Sequence, residues 1–267
     1  MSRVIAIANQ KGGVGKTTTA INLGAGLAVA EKRTLVVDMD PQGNATSGLG
    51  LDRAQLRGSV YDILVEEAAV VDVREEKVHF PYLDVIPSSQ DLVGAEVELV
   101  ERPGRELVLR NALTAVRDEY DYVLLDCPPS LGLLTLNTLA AADTVLIPIQ
   151  CEFYALEGLS QLLNTVRLVQ QNLNPRLQIE GVLLTMYDQR LNLSRQVADE
   201  AKEYFGSRVF KSVIPRNVRL AEAPSFGKPI VLYDLLSVGA QSYLALAREI
   251  IELGVNTATG LKPAEGQ

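Results

Sequence analysis

The sequence contains no tryptophan, and aromatic residues make up only 5% of its 267 positions. Its core must therefore be built from Val, Leu, Ile and Ala. Two cysteines, Cys127 and Cys151, are too few for a disulfide scaffold and fit a reducing compartment. The one histidine, His79, lies in an irregular segment before Phe80-Pro81 and reads as a surface residue with no catalytic role. No apolar run approaches the roughly 20 residues that span a bilayer. The N-terminal apolar run is short and ends in a Gly-rich turn, which does not make a secretory leader. Positive charge is also scarce: 25 Lys and Arg against 33 Asp and Glu give a net charge of −8. That excludes a generally basic nucleic-acid protein, but not a local basic patch, because attraction follows the local field. At 47% apolar and 22% charged, the composition excludes a wholly disordered chain.

What is present is alternation. Apolar, β-rich runs stand at Arg3–Ala8, Arg33–Asp38, Leu83–Pro87, Tyr122–Asp126, Thr144–Pro148, Ile179–Thr185 and Val209–Ile214. Such continuous runs suit strands buried on both faces. Helical patterns lie between them, at Thr17–Ala30, at Ala155–Leu173 and over the last helix at Gly239–Leu253. Strand–helix alternation predicts an α/β fold with a mainly parallel twisted sheet and helices on both faces. Residues 1–254 read as one domain and 255–267 as a flexible tail. Asp52–Phe80 is the least regular stretch and reads as an insertion.

The segment Gln10-Lys11-Gly12-Gly13-Val14-Gly15-Lys16-Thr17-Thr18 follows a predicted strand and opens a predicted helix. Glycines let backbone N–H groups curl around phosphate oxygens, and the helix N-terminus adds the positive end of its dipole. In this P-loop logic Lys16 reaches the β- and γ-phosphates and the Thr17 hydroxyl ligates Mg²⁺. The usual pattern wants glycine at position 10, where this chain has Gln10 followed by a second lysine, Lys11.

Two acidic strand ends follow. Asp38-Met39-Asp40-Pro41 closes the second strand, with two carboxylates two residues apart, on one side if the strand persists. At the C-terminal end of a parallel strand that side can face the nucleotide crevice. One carboxylate can support the metal site while the other orients water. Tyr122–Asp126, followed by Cys127-Pro128-Pro129, is an apolar strand ending in acid. This is Walker B logic, with Asp126 delivered to the Mg²⁺ shell through water.

With these motifs the chain resembles the ParA/Soj partitioning ATPases of the ParA/MinD superfamily, P-loop NTPases with a deviant Walker A loop. The resemblance is carried by NQKGGVGKTTTAINL, VDMDPQGNATSGLG, LLDCPPSLGLLTLNTL, EFYALEGLSQLLNTV and VIPRNVRLAEAPSFGKPI. It implies ATP/ADP and Mg²⁺ as cofactors and an ATP-bound sandwich homodimer that binds double-stranded DNA without sequence preference. It also implies slow hydrolysis stimulated by a ParB-type centromere-binding protein, driving chromosome or plasmid segregation. The expected location is cytoplasmic, on the nucleoid when ATP is bound. By the same resemblance Lys11 crosses the dimer interface to the partner's nucleotide and Asp40 positions the attacking water. Asp38 becomes a further partner to a lysine or to metal-bound water. Pro215-Arg216-Asn217 forms the adenine-side loop, with Asn217 on the base edge or, alternatively, serving only as a turn residue. DNA contacts fall to Arg190 and Arg219 by resemblance. Arg195 and Lys228 join them as neighbouring cations.

Other readings of the same loop are weaker. A MinD-type membrane ATPase needs a basic amphipathic C-terminal helix. Here the last helix carries Arg248 with Glu249 and Glu252, and the residues after it are polar. An iron–sulfur reductase would use two cysteines per subunit, but Cys127 and Cys151 read more simply as small buried residues. A carboxylate-activating ligase would need a substrate pocket that no motif announces.

Overall fold

The computed structural model describes residues 2–152 and 157–258. Six of the apolar runs form strands: β1 (Arg3–Ile7), β2 (Thr34–Asp38), β3 (Leu83–Ile86), β4 (Tyr122–Asp126), β5 (Thr144–Gln150) and β6 (Gln178–Thr185). All pair in parallel, in the order β3-β2-β4-β1-β5-β6. Parallel neighbours need crossovers, and helices supply them. In chain order these are α1 (Lys16–Val29), α2 (Asn44–Gly48), α3 (Val60–Leu64), α4 (Val70–Val73), α5 (Leu92–Glu98) and α6 (Val108–Thr114). They continue with α7 (Leu133–Ala141), α8 (Glu157–Asn172), α9 (Asn192–Phe205), α10 (Val218–Glu222), α11 (Ile230–Tyr233) and α12 (Val238–Ala258).

The two-residue period of the strands divides the core into two layers. Val4, Ala6, Leu35 and Val37 face one layer, filled from the helix side by Leu109, Leu134 and Leu162. Ile5, Ile7 and Val36 face the other, against Leu23 and Leu27 of α1 and Tyr243, Leu246 and Ile250 of α12. Burial on both faces explains why the strands are apolar runs rather than alternating ones.

Two sequence expectations need correction, the strand at Val209–Ile214 and the start of the tail. Val209–Ile214 is not a strand. It lies along β6, where Phe210 N donates to Val182 O and Ile214 N to Leu184 O. Between those points the Lys211 and Ser212 amides turn away and donate to the Glu249 carboxylate of α12 (2.7 and 2.9 Å), which breaks the ladder. Asp52–Phe80, read as an insertion, contributes to the core: Val60, Ile63, Leu64, Val70 and Val73 are buried in the first layer. The tail expected from residue 255 overlaps α12, which runs to Ala258. Residues 259–267 lie outside the described residues, as do the first residues of the helix expected from Ala155.

Candidate functional site

The carboxyl ends of β1, β2, β4, β5 and β6 converge on one rim, where chain connections leave in opposite directions and open a crevice. Residues 10–15 leave β1 there. Gly13 and Gly15 sit at φ +74° and +89°, conformations that cost an L-residue about 1–2 kcal/mol. At Gly12 and Gly13 the space a side chain would take is open. The loop is braced from both sides. The Asn9 side chain donates to Pro148 O (2.7 Å) and accepts from Lys11 N (3.0 Å). The Thr185 hydroxyl at the end of β6 donates to Val14 O (2.8 Å). Lys16 is buried in the first turn of α1, and its Nζ donates to Lys11 O (3.3 Å). Burial lowers its pKa, and Asp126 and Asp40 oppose the shift. Lys11 is half-buried, and among the described residues its ammonium has no partner.

Asp38 and Asp126 end adjacent strands in register and are both fully buried. Their surroundings differ. Asp38 Oδ2 accepts from the Thr46 amide (2.8 Å) and hydroxyl (2.7 Å), and Oδ1 accepts from Asp40 N (3.2 Å). Burial nevertheless raises this carboxyl to about 6. Neither oxygen of Asp126 has a hydrogen-bond partner of good geometry. Burial and then the Asp38 charge push its pKa well up, while Thr17 and Lys16 pull it down. A buried carboxylate with both oxygens free, beside a threonine hydroxyl and a lysine, fits a hydrated divalent cation. Asp40, on the loop past β2, is buried and accepts from Gln42 N (3.0 Å).

Beside the loop lies a cavity of about 400 Å³, lined by Gly15 and Thr18 on one side and by Thr185, Met186, Pro215 and Asn217 on the other. Arg216 and Tyr243 also line it. The size and mostly apolar walls suit a planar base. Asn217 caps α10, its Oδ1 accepting from Leu220 N (3.3 Å), which leaves its amide nitrogen as a donor toward the cavity rim. The Arg216 side chain turns out to Glu152 (2.6 Å). Thr185, Met186 and Tyr243 were not identified in the sequence. They come from two distant elements, and only the close spacing of β6 and α12 to α1 brings them in. The Tyr243 hydroxyl meets Thr19 Oγ1 (3.1 Å), which itself donates to Gly15 O (2.7 Å).

The cations expected on a DNA surface are all exposed. Arg190 is forked onto Asp188 (2.6 and 2.9 Å), and Arg219 onto Glu222 (2.9 Å) and Asp234 (3.5 Å). Arg195 stands in the first turn of α9 against Asn192. Lys228 has no ion pair among the described residues. His79 is exposed, as expected, with Nε2 2.9 Å from both Leu49 O and Gly227 O. Both cysteines are buried, and burial pushes each thiol up to about 12.

A family model described as an AAA domain matches residues 2–179. The sporulation initiation inhibitor protein Soj of Bacillus subtilis is 62% identical over 95% of this chain and 100% of its own length. The chromosome partitioning protein ParA of Myxococcus xanthus is 59% identical over 94% and 89%. The chain belongs to the ParA/Soj family of chromosome-partitioning ATPases. Among solved structures, cobyrinic acid a,c-diamide synthase from Mycobacterium smegmatis with bound ADP and magnesium has a TM-score of 0.83 and 38% identity, covering 97% of each chain. In this ParA/Soj chain the apolar face of α12 is spent inside the molecule: Ala240, Tyr243, Leu246, Ala247 and Ile250 are buried against the sheet side. No helix among the described residues is long and apolar enough to cross a membrane.

Proposed function

We propose that this chain is an ATP-dependent DNA-partitioning switch. The observation that carries the reading is a phosphate loop with two lysines of different fate: Lys16 buried against Asp126, Lys11 unpartnered at the loop's mouth. Lys16 and the amides of Gly12–Thr18 hold the phosphates. Pro215, Arg216 and Asn217 border the base. Thr17 and, through water, Asp126 hold Mg²⁺, which when bound offsets phosphate charge in the transition state. Asp40 orients the attacking water, and Asp38 keeps that segment in place by holding Thr46 and the Asp40 amide. Lys11 crosses to the partner's nucleotide and supplies a cation in trans, so that ATP joins two protomers in a sandwich dimer.

Dimerisation doubles the set Arg190, Arg195, Arg219 and Lys228, converting weak contacts into useful avidity for DNA of any sequence. A ParB-type partner stimulates hydrolysis, the dimer parts and DNA is released, and repeated cycles segregate the chromosome or a plasmid. The bound state sits on the nucleoid. The test is DNA co-sedimentation with ADP, with ATP, and with ATP for Lys11→Ala, at low and high salt. Binding by wild type with ATP alone, lost at high salt, is the expected result. DNA binding indifferent to nucleotide would sink the reading.

A further inference from the structure

We propose that the outward face of α5 is the docking site for a basic amphipathic helix of a partner protein, through which hydrolysis is regulated. The regulatory half rests on the partner-stimulated ATPase reading above; the docking half does not.

The observation is an apolar stripe with nothing on it. α5 turns Leu92 and Ala95 into the core, and Leu99 follows them just past its end. That accounts for one face. Val93, Val97 and Val100 are 66%, 75% and 54% exposed. Their spacing puts them on a single stripe along the opposite side. A short surface helix that is apolar on both faces needs a second neighbour.

The rim decides the chemistry of that neighbour. Asp91, Glu98 and Glu101 border the stripe and are exposed. Glu98 accepts from the Tyr61 hydroxyl (3.0 Å), and Glu66 and Asp91 lie close enough to that phenol to raise its pKa along with Glu98. None of these four carboxylates has an ion pair among the described residues. The nearby arginines are already bonded, Arg102 to Glu67 and Leu64 O, and Arg105 to Glu106 and to Val100 O at the end of the stripe. An apolar stripe with an uncompensated acidic border complements a helix carrying apolar residues at helical spacing flanked by Lys or Arg. The same border repels nucleic acid and anionic lipid, and it disfavours a second copy of this chain, whose net charge is −8.

The position gives such a contact leverage. Just before α5, Ser88 N donates to Thr46 Oγ1 (2.9 Å), and Thr46 holds Asp38. From within α5, Glu96 Oε1 accepts from Leu134 N (3.4 Å) at the start of α7, directly after the segment led by Asp126. A helix gripping α5 therefore bears on both acidic segments of the nucleotide site.

The experiment compares wild type with Val93→Ala/Val97→Ala, which removes the stripe without helix cost, and Glu98→Lys/Glu101→Lys, which reverses the border. Two probes are used: the cognate ParB-type protein in an ATPase assay, and a designed Leu/Lys helix with its scrambled control in fluorescence anisotropy. The expected result is unchanged basal ATPase and ATP-dependent DNA binding in both variants. The partner concentration for half-maximal stimulation should rise at least tenfold, and the designed helix, bound by wild type, should be lost. Stimulation of both variants at the wild-type concentration overturns the proposal. If the partner fails to stimulate wild type, the reading above has failed. The designed helix then decides docking alone: selective binding upholds it, and binding equal to the scramble overturns it. Loss of ATP-dependent dimerisation in Val93→Ala/Val97→Ala, seen by sedimentation, would assign the stripe to a second copy and overturn it as well.

Discussion

At the scale of single residues, Asp38 and Asp126 show a site organised at the expense of the empty fold. With a native pKa of about 6 against an ordinary 3.8, Asp38 binds its proton more tightly folded than unfolded. Its contribution to stability is therefore fullest below pH 4 and declines as pH rises toward 6, by about 3 kcal/mol. Asp126 moves in the same direction, and neither of its oxygens has a hydrogen-bond partner of good geometry. Asp126→Asn should accordingly raise the melting temperature of the nucleotide-free protein at pH 7. The gap from wild type should widen between pH 4 and 7, while stabilisation by Mg²⁺-nucleotide disappears. Thermal scans across that range with and without Mg²⁺-ADP check it; equal melting temperatures at every pH would refute the account. The acids themselves were legible in the sequence because each ends an apolar strand. Their different surroundings were not, because Thr46 reaches Asp38 from eight residues further along the chain, through a turn that periodicity does not describe.

Among elements, the lesson lies in Val209–Ile214. Its apolar, β-branched composition reads as a seventh strand. Composition cannot reveal that a carboxylate from α12 will take the two amides in its middle. The same blindness applied to Asp52–Phe80, whose helices are too short to show a stripe yet bury five side chains in the core. The six real strands were legible because burial on both faces leaves little freedom of composition. Glu249 matters functionally because the segment it holds leads into Pro215 and the cavity. Glu249→Ala should leave the fold intact and weaken nucleotide affinity about three- to tenfold, since hydrogen bonds to a charged but partly exposed acceptor are worth about 1 kcal/mol. Titration with a fluorescent ATP analogue measures it; unchanged affinity would mean that the segment holds itself.

For the whole molecule, the tension is an acidic chain proposed to grip DNA. The structure sharpens it, because Arg190 and Arg219 already have carboxylate partners. Exposed pairs of this kind are weak, so a phosphate can displace the acid. The acid nonetheless competes. Asp188→Asn should therefore tighten ATP-dependent DNA binding, and Arg190→Ala should weaken it and flatten its dependence on salt. Affinities measured at several salt concentrations test both, and a neutral Asp188→Asn would remove Arg190 from the interface. The neighbouring Asp188 was visible in the sequence; that it would fold back onto Arg190 rather than face water was not.

The cavity beside the phosphate loop has one wall from residues 15 and 18 and another from residues 185 to 243. Made on a ribosome, the first wall emerges long before the second. The strap that steadies the second wall, Glu249, comes later still. A ligand lodged between them closes a long loop of polypeptide and so rewards only a chain with both walls folded. A newly synthesised chain thus gains its nucleotide cavity late, once both walls are in place.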